Sequence, residues 1–202
     1  MLKIHHVPLT RSFRVIWLCE ELGLAYEAIP TDFSPAYRAS AEWRALNPVG
    51  KVPVLLDDKL VMFESGAMVQ HILNRYAEGQ LEPTPGTTEH ALFLQWCWFG
   101  EATFARPLGE IVNHKREFPD DQNIPAVLEE MANRSAVSLA AVAEATADKN
   151  YLLGDAFSAA DIMVGYSLRL VDTLLPHRMT DDIQPYWQRL LARPAYQRAL
   201  KV

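Results

Sequence analysis

The stretch GQLEPTPGTT at residues 79–88 sets the strongest limit on how this chain can fold. Its glycines, prolines and threonines break regular structure, so 80–88 reads as a linker between residues 1–79 and 89–202. The two sides differ in kind. Strand and helix patterns alternate before the linker, and only helical patterns follow it.

Leu2–Val7 is short, apolar-rich and ended by Pro8, which reads as a strand. Val15, Leu18, Cys19 and Leu22 recur at helical spacing, and Gly23 stands where a helix-terminating glycine would. Tyr26–Pro30 reads as a second strand, and 35–46 as a weak helix ending before the turn Asn47-Pro48-Val49-Gly50. Val52–Leu56 and Leu60–Phe63, joined by Asp57-Asp58-Lys59, predict a hairpin, and Val69, Ile72, Leu73 and Tyr76 predict a third helix. The order is βαβαββα. Beyond the linker, helices are expected over 89–116, 125–147, 158–174 and 184–199, with breaks at Pro119, Gly154 and Pro176. With no internal repeat, the expected architecture is an α/β domain followed by an all-α helical bundle.

Composition narrows the function classes. The chain is 50% hydrophobic and 22% charged, as expected for a globular protein with a packed core. A formal net charge of -6 disfavours nucleic acid or an anionic membrane as partner, since those surfaces need clustered Lys and Arg. Cys19 and Cys97 lie far apart with neither a CxxC pair nor metal-ligand spacing, so both read as core residues, and neither a disulfide scaffold nor a metal is expected. The opening MLKIHHVPLTRSF lacks the apolar core of a signal peptide, and no apolar run approaches about 20 residues. A cytoplasmic protein is therefore expected.

Four local features could carry chemistry. Thr10 and Ser12 place two hydroxyls at or just before the N-terminus of the first helix. Either could cap that helix for about 1 kcal/mol. Either could instead donate to a sulfur anion held in the positive end of the helix dipole. A hydrogen bond to a charged group contributes about 1.5–3 kcal/mol, enough to lower a thiol pKa by one or two units from about 8.5. No cysteine lies at this junction, so the thiol must arrive on a ligand.

The second feature is Pro53, at the mouth of an otherwise good strand. An edge strand would tolerate it. A cis Val52-Pro53 bond would instead turn the backbone of Val52 toward an extended peptide, with Lys51 poised for a carboxylate. The third is Glu64-Ser65 at the start of the third helix, where Ser65 is either an N-cap or, with Glu64, part of a site for a head group bearing both charges. The fourth, Ser158-Ala159-Ala160-Asp161, is a capping box in form and carries no chemistry.

The segments SFRVIWLCEELGLAYE, NPVGKVPVLLDD, FESGAMVQHI and GDAFSAADIMVGYSL, in that order, resemble motifs of the cytosolic glutathione S-transferase superfamily over almost the whole chain. The resemblance implies a thioredoxin-like N-terminal domain, glutathione as co-substrate without a metal, and a homodimer. Val52 and Pro53 look like the pair that clasps the cysteinyl part of glutathione. Glu64 and Ser65 look like its γ-glutamyl site, and Lys51 like a contact to its glycyl carboxylate. Thr10, four residues before Arg14, resembles the catalytic serine of serine-type members, with Ser12 as the second candidate. Thr replaces that Ser here, and the tyrosine of tyrosine-type members is absent.

One face of the aromatic-rich helix at 92–104 could line a pocket for a small hydrophobic electrophile, with Trp98, Phe99 and Phe104 as candidates against a plain packing role. His5 and His6 carry no partner motif. The implied activity is attack of glutathione thiolate on that electrophile. A glutathione-dependent disulfide or peroxide reductase and a non-enzymatic interaction module are the alternatives.

Overall fold

The structure, a computed structural model, describes all of residues 1–202. It separates into two compact units, Met1–Gln80 together with Ala192–Val202, and Leu81–Leu191. In the first, β1 (Leu2–His6), α1 (Ser12–Leu22), β2 (Tyr26–Pro30), α2 (Pro35–Ala39), α3 (Ala41–Leu46), β3 (Val54–Asp57), β4 (Leu60–Met62) and α4 (Ser65–Tyr76) follow the predicted order. The sheet order is β2-β1-β3-β4; β1 and β2 are parallel and the other pairs antiparallel. This is the thioredoxin-like sheet.

Alternation along β1 decides what each face of the sheet covers. Leu2, Ile4 and His6 are buried, and Ile4 pairs with Leu55; α1 packs against β1 and in turn against α4. His5 pairs with Val54 on the opposite face, where its ring meets Trp43 at 5.1 Å. Trp43, Val52 and Val54 form a small core there with Phe33, Tyr37 and Leu46 around it.

Helix α1 is enclosed from Ser12 to Cys19 and ends at Gly23, whose φ of 62° lets its N–H close on the Cys19 carbonyl. The segment expected as a single helix at 35–46 is two short ones. Ser40, extended at φ −63° and ψ 149°, ends α2 and caps α3 by accepting from the Trp43 N–H at 3.1 Å. The segment expected at 184–199 divides likewise into α9 (Gln184–Leu191) and α10 (Pro194–Ala199), because Pro194 holds Arg193 extended.

Helix α10 belongs to the first unit. Tyr196 packs its ring 4.9 Å from Trp17 and 5.2 Å from Phe13. Arg193 donates to both Glu21 oxygens at 2.6 and 2.7 Å, and Arg198 donates to the Glu20 carboxylate at 2.6 Å.

The second unit holds α5 (Thr88–Trp98), a π-helical turn at Phe99–Phe104, α6 (Ala105–Glu117), α7 (Pro125–Thr146), α8 (Ala159–Leu174) and α9. Helix α8 is buried from Ala159 to Leu168 and is the axis of the unit. Gly100 makes the close crossing with α8 feasible, since a Cβ there would lie 2.9 Å from the Met163 carbonyl carbon. Ser167 also donates to the Gly100 carbonyl at 3.0 Å. The capping box is present, and Asp161 accepts from Ser158 N–H at 2.8 Å, Leu152 N–H at 3.0 Å and the Tyr186 hydroxyl at 2.8 Å. No helix is long and apolar enough to cross a membrane.

Candidate functional site

The loop between β1 and α1 turns through Leu9, a non-glycine residue at φ 66°. Just beyond it, the Thr10 hydroxyl donates to the Val7 carbonyl at 2.7 Å and lies 2.7 Å from the Ser12 hydroxyl. Ser12 Oγ is also 2.8 Å from His6 Nδ1 and 3.2 Å from the Val7 carbonyl. Arg11 occupies the N-cap position with no side-chain cap, and the Ser12 N–H reaches Thr10 Oγ1 only at 3.4 Å. Neither hydroxyl is a simple cap. They differ in access, because Ser12 is fully buried while Thr10 is partly exposed.

One turn into α1, Arg14 is fully buried, and its Nη1 donates to Ser65 Oγ at 3.2 Å. This bond joins the start of α1 to the start of α4. It also removes the reading of Ser65 as N-cap. That position belongs to Glu64, which is exposed at φ 75° and makes no side-chain cap bond.

The Val52-Pro53 bond is cis. Pro53 immediately precedes β3, which lies between β1 and β4, so the edge-strand explanation does not apply. The preceding loop is held by the buried Asn47, whose Nδ2 donates to the Lys51 carbonyl at 2.7 Å and whose Oδ1 accepts from the Val49 N–H at 3.1 Å. Gly50, at φ 65°, lies so close to the neighbouring turn that a Cβ would stand 2.6 Å from the Arg38 carbonyl oxygen. Arg44 ties the same turn together, donating to the carbonyls of Arg38 and Pro48. Lys51 emerges exposed from this braced loop.

In the helical unit, Trp98 is 68% exposed, Phe99 half-buried and Phe104 fully buried. Phe99 stands 5.1 Å from Trp96 and 6.1 Å from Phe104. The packing role thus describes Phe104. Cys19 is inert as a nucleophile, because burial first and the Glu20 carboxylate second push its thiol up to about 12. Sequence reasoning assigned no role to His6, Arg14 or Asn47. For His6 and Arg14 the signal was a polar residue at a position that the strand or helix period buries; Asn47, in the turn after α3, had none beyond the turn itself.

Residues 2–74 match the glutathione S-transferase N-terminal domain family. The chain is 28% identical to glutathione S-transferase 3 of Zea mays, over 98% of this chain and 93% of that one. The theta class glutathione S-transferase of Xanthomonas axonopodis pv. citri, solved with glutathione bound, superposes with a TM-score of 0.86 at 29% identity, covering 100% of this chain and 97% of that one. Protein URE2 of Eremothecium gossypii is 31% identical over 61% of this chain and 36% of its own length. Residues 2–74 thus carry a glutathione S-transferase N-terminal domain, and over its whole length the chain resembles glutathione S-transferases, similarities that are consistent with the cytosolic superfamily and support an enzyme of that class.

Proposed function

We propose that the first unit binds glutathione and that Thr10 donates its hydroxyl proton to the thiolate, favouring the anion for attack on a small hydrophobic electrophile. The observation that carries this reading is the Arg14–Ser65 hydrogen bond, which joins the hydroxyl-bearing end of α1 to the Glu64-Ser65 end of α4. A tripeptide carrying a thiol and an amino-acid head group needs both. Glu64 takes the ammonium, the free amides at the start of α4 take the α-carboxylate, Val52 pairs with the cysteinyl backbone, and Lys51 meets the glycyl carboxylate. Access favours Thr10 over Ser12 as the residue that touches sulfur.

In the reaction the thiol proton leaves to solvent, a sulfur–carbon bond forms, and the leaving group departs with its electron pair. Holding both reactants supplies the rest of the acceleration. Exposed Trp98 and half-buried Phe99 are the side chains proposed to meet the electrophile. Leu60 and Val61, exposed on the edge strand β4, and exposed Phe63 just beyond it support a homodimer, and the two free cysteines fit the reducing cytoplasm.

Retention on immobilised glutathione, followed by turnover of an aryl halide and of a small disulfide, tests the reading. Binding with aryl halide turnover is the expected result. Turnover of the disulfide alone would make the enzyme a reductase, and failure to bind glutathione would overturn the site.

A further inference from the structure

The buried end of the β1–α1 junction contains more than one hydroxyl and one acceptor. Ser12 Oγ is within hydrogen-bond distance of His6 Nδ1 (2.8 Å), Thr10 Oγ1 (2.7 Å) and the Val7 carbonyl (3.2 Å). Thr10 Oγ1 reaches Ser12 and, at 2.7 Å, the Val7 carbonyl. The two hydroxyls bring one proton each, and the carbonyl brings none. The state of His6 Nδ1 therefore decides where both protons go.

If Nδ1 is an acceptor, Ser12 gives its proton to the ring. Thr10 must then donate to Ser12 to keep their short oxygen–oxygen contact, and no hydroxyl proton is left for a ligand. If Nδ1 carries a hydrogen, it donates to Ser12, and Ser12 donates to Thr10. The Thr10 proton then rests on the Val7 carbonyl and can turn to an arriving sulfur anion. Chains of donors polarise one another, so each hydroxyl becomes a stronger donor than it would be alone.

Resting on the function proposed above, we infer that His6 is a positioning residue, held in the Nδ1–H tautomer, which starts a donor chain from His6 through Ser12 to Thr10 that ends on the thiolate of glutathione. The fold fixes His6 for this role. It is the last residue of β1, 6% exposed, and its backbone carbonyl accepts from the Thr31 N–H at 3.0 Å. The neighbouring His5 points to the other face of the sheet, toward Trp43 and Thr31, and plays no part. Ser12, fully buried, acts as the relay and not the contact.

The first test needs neither ligand nor activity. Long-range nitrogen–proton NMR on the folded protein, with the His6 ring assigned by its disappearance in His6→Asn, should show Nδ1 protonated. An unprotonated Nδ1 with hydrogen on Nε2 would overturn the relay. The second test follows thiolate absorbance of bound glutathione against pH. His6→Phe should raise the ionisation midpoint by about one pH unit. His6→Asn, whose amide N–H replaces the ring N–H, should restore it, and affinity measured below the midpoint should stay nearly constant in both. A wild-type midpoint in His6→Phe would overturn the relay, as would a failure of His6→Asn to restore it. Thr10→Val separates the two ideas. If it shifts the midpoint while His6→Phe does not, only the relay falls; if Thr10→Val has no effect, the role proposed for Thr10 falls with it.

Discussion

Replacing Thr10 by valine keeps the shape of the side chain and removes only the hydroxyl. In the folded protein the loss is small, because the Val7 carbonyl still has the Ser12 hydroxyl at 3.2 Å and the Thr10 N–H at 3.3 Å. A stability cost of about 1 kcal/mol is expected. The loss to the thiolate is larger. One hydrogen bond to a charged group contributes about 1.5–3 kcal/mol, or one to two pKa units, so a thiol at about 8.5 is brought to about 6.5–7.5 when Thr10 donates. At pH 7 the ionised fraction is then roughly 25–75% in the wild type and about 3% in the variant. The expected fall in kcat/KM toward an aryl halide is about 8- to 25-fold at pH 7, shrinking to less than about twofold at pH 9, where both enzymes hold mostly thiolate. A pH–rate series on both proteins measures this. A ratio that stays constant across the range would refute the reasoning, since it would mean that Thr10 acts on something other than ionisation.

Gly50→Ala and Gly23→Ala separate crowding from backbone strain. Both sites have φ above 60°, but an added Cβ meets the Arg38 carbonyl oxygen at 2.6 Å at Gly50 and nothing within 4 Å at Gly23. Urea unfolding should show a loss of about 1 kcal/mol for Gly23→Ala and at least about twice that for Gly50→Ala. Weakened glutathione binding is expected only for the latter, and equal losses would count against the clash. In the helical unit, Gly100→Ala forces the backbone of α8 to give at Met163 and should cost about 1–3 kcal/mol; an unchanged thermal midpoint would show that the crossing relaxes freely. Asp57 is buried. That burial alone would raise its pKa, but hydrogen bonds from Tyr76 and His71 and the charge of Arg75 together hold it below the usual carboxylate value. A depressed folded pKa adds stability that is complete above the unfolded value of about 3.9 and is lost as pH falls through the folded value. Asp57→Asn should therefore be less stable than wild type by about 1–3 kcal/mol at pH 7, with the gap closing below about pH 4; a gap independent of pH would contradict this linkage.

What could be read in advance follows the range of the interaction. The βαβαββα order, the end of α1 at Gly23 and the unusual Val52-Pro53 pair all rest on residues within a few positions of one another, where periodicity and backbone preference act directly. Ser40 is local too, yet it splits the 35–46 helix because one serine ends α2 and caps α3 through its own hydroxyl, which a count of apolar positions does not register. The π turn at Phe99–Phe104 was hidden for a different reason. It lies where α8 crosses at Gly100 and Ser167 takes the Gly100 carbonyl, partners 67 residues apart. Helix α10 likewise joins the first unit through Arg193, Tyr196 and Arg198, whose partners on α1 lie more than 170 residues earlier.

The choice between Thr10 and Ser12 shows the same limit at the scale of a site. Two residues apart at a helix start, the two hydroxyls are separated in the chain only by the resemblance that places Thr10 four residues before Arg14. They become unlike when β1 delivers His6 to one of them. Alternation along that strand, Leu2, Ile4, His6, already marked His6 as inward-facing, but a histidine at an apolar position reads as core until its ring is found 2.8 Å from a buried hydroxyl. Burial of Ser12 beneath a partly exposed Thr10 is what supports the proposal that Thr10 meets the ligand, so the choice proposed at the site rests on packing as well as on the spacing to Arg14.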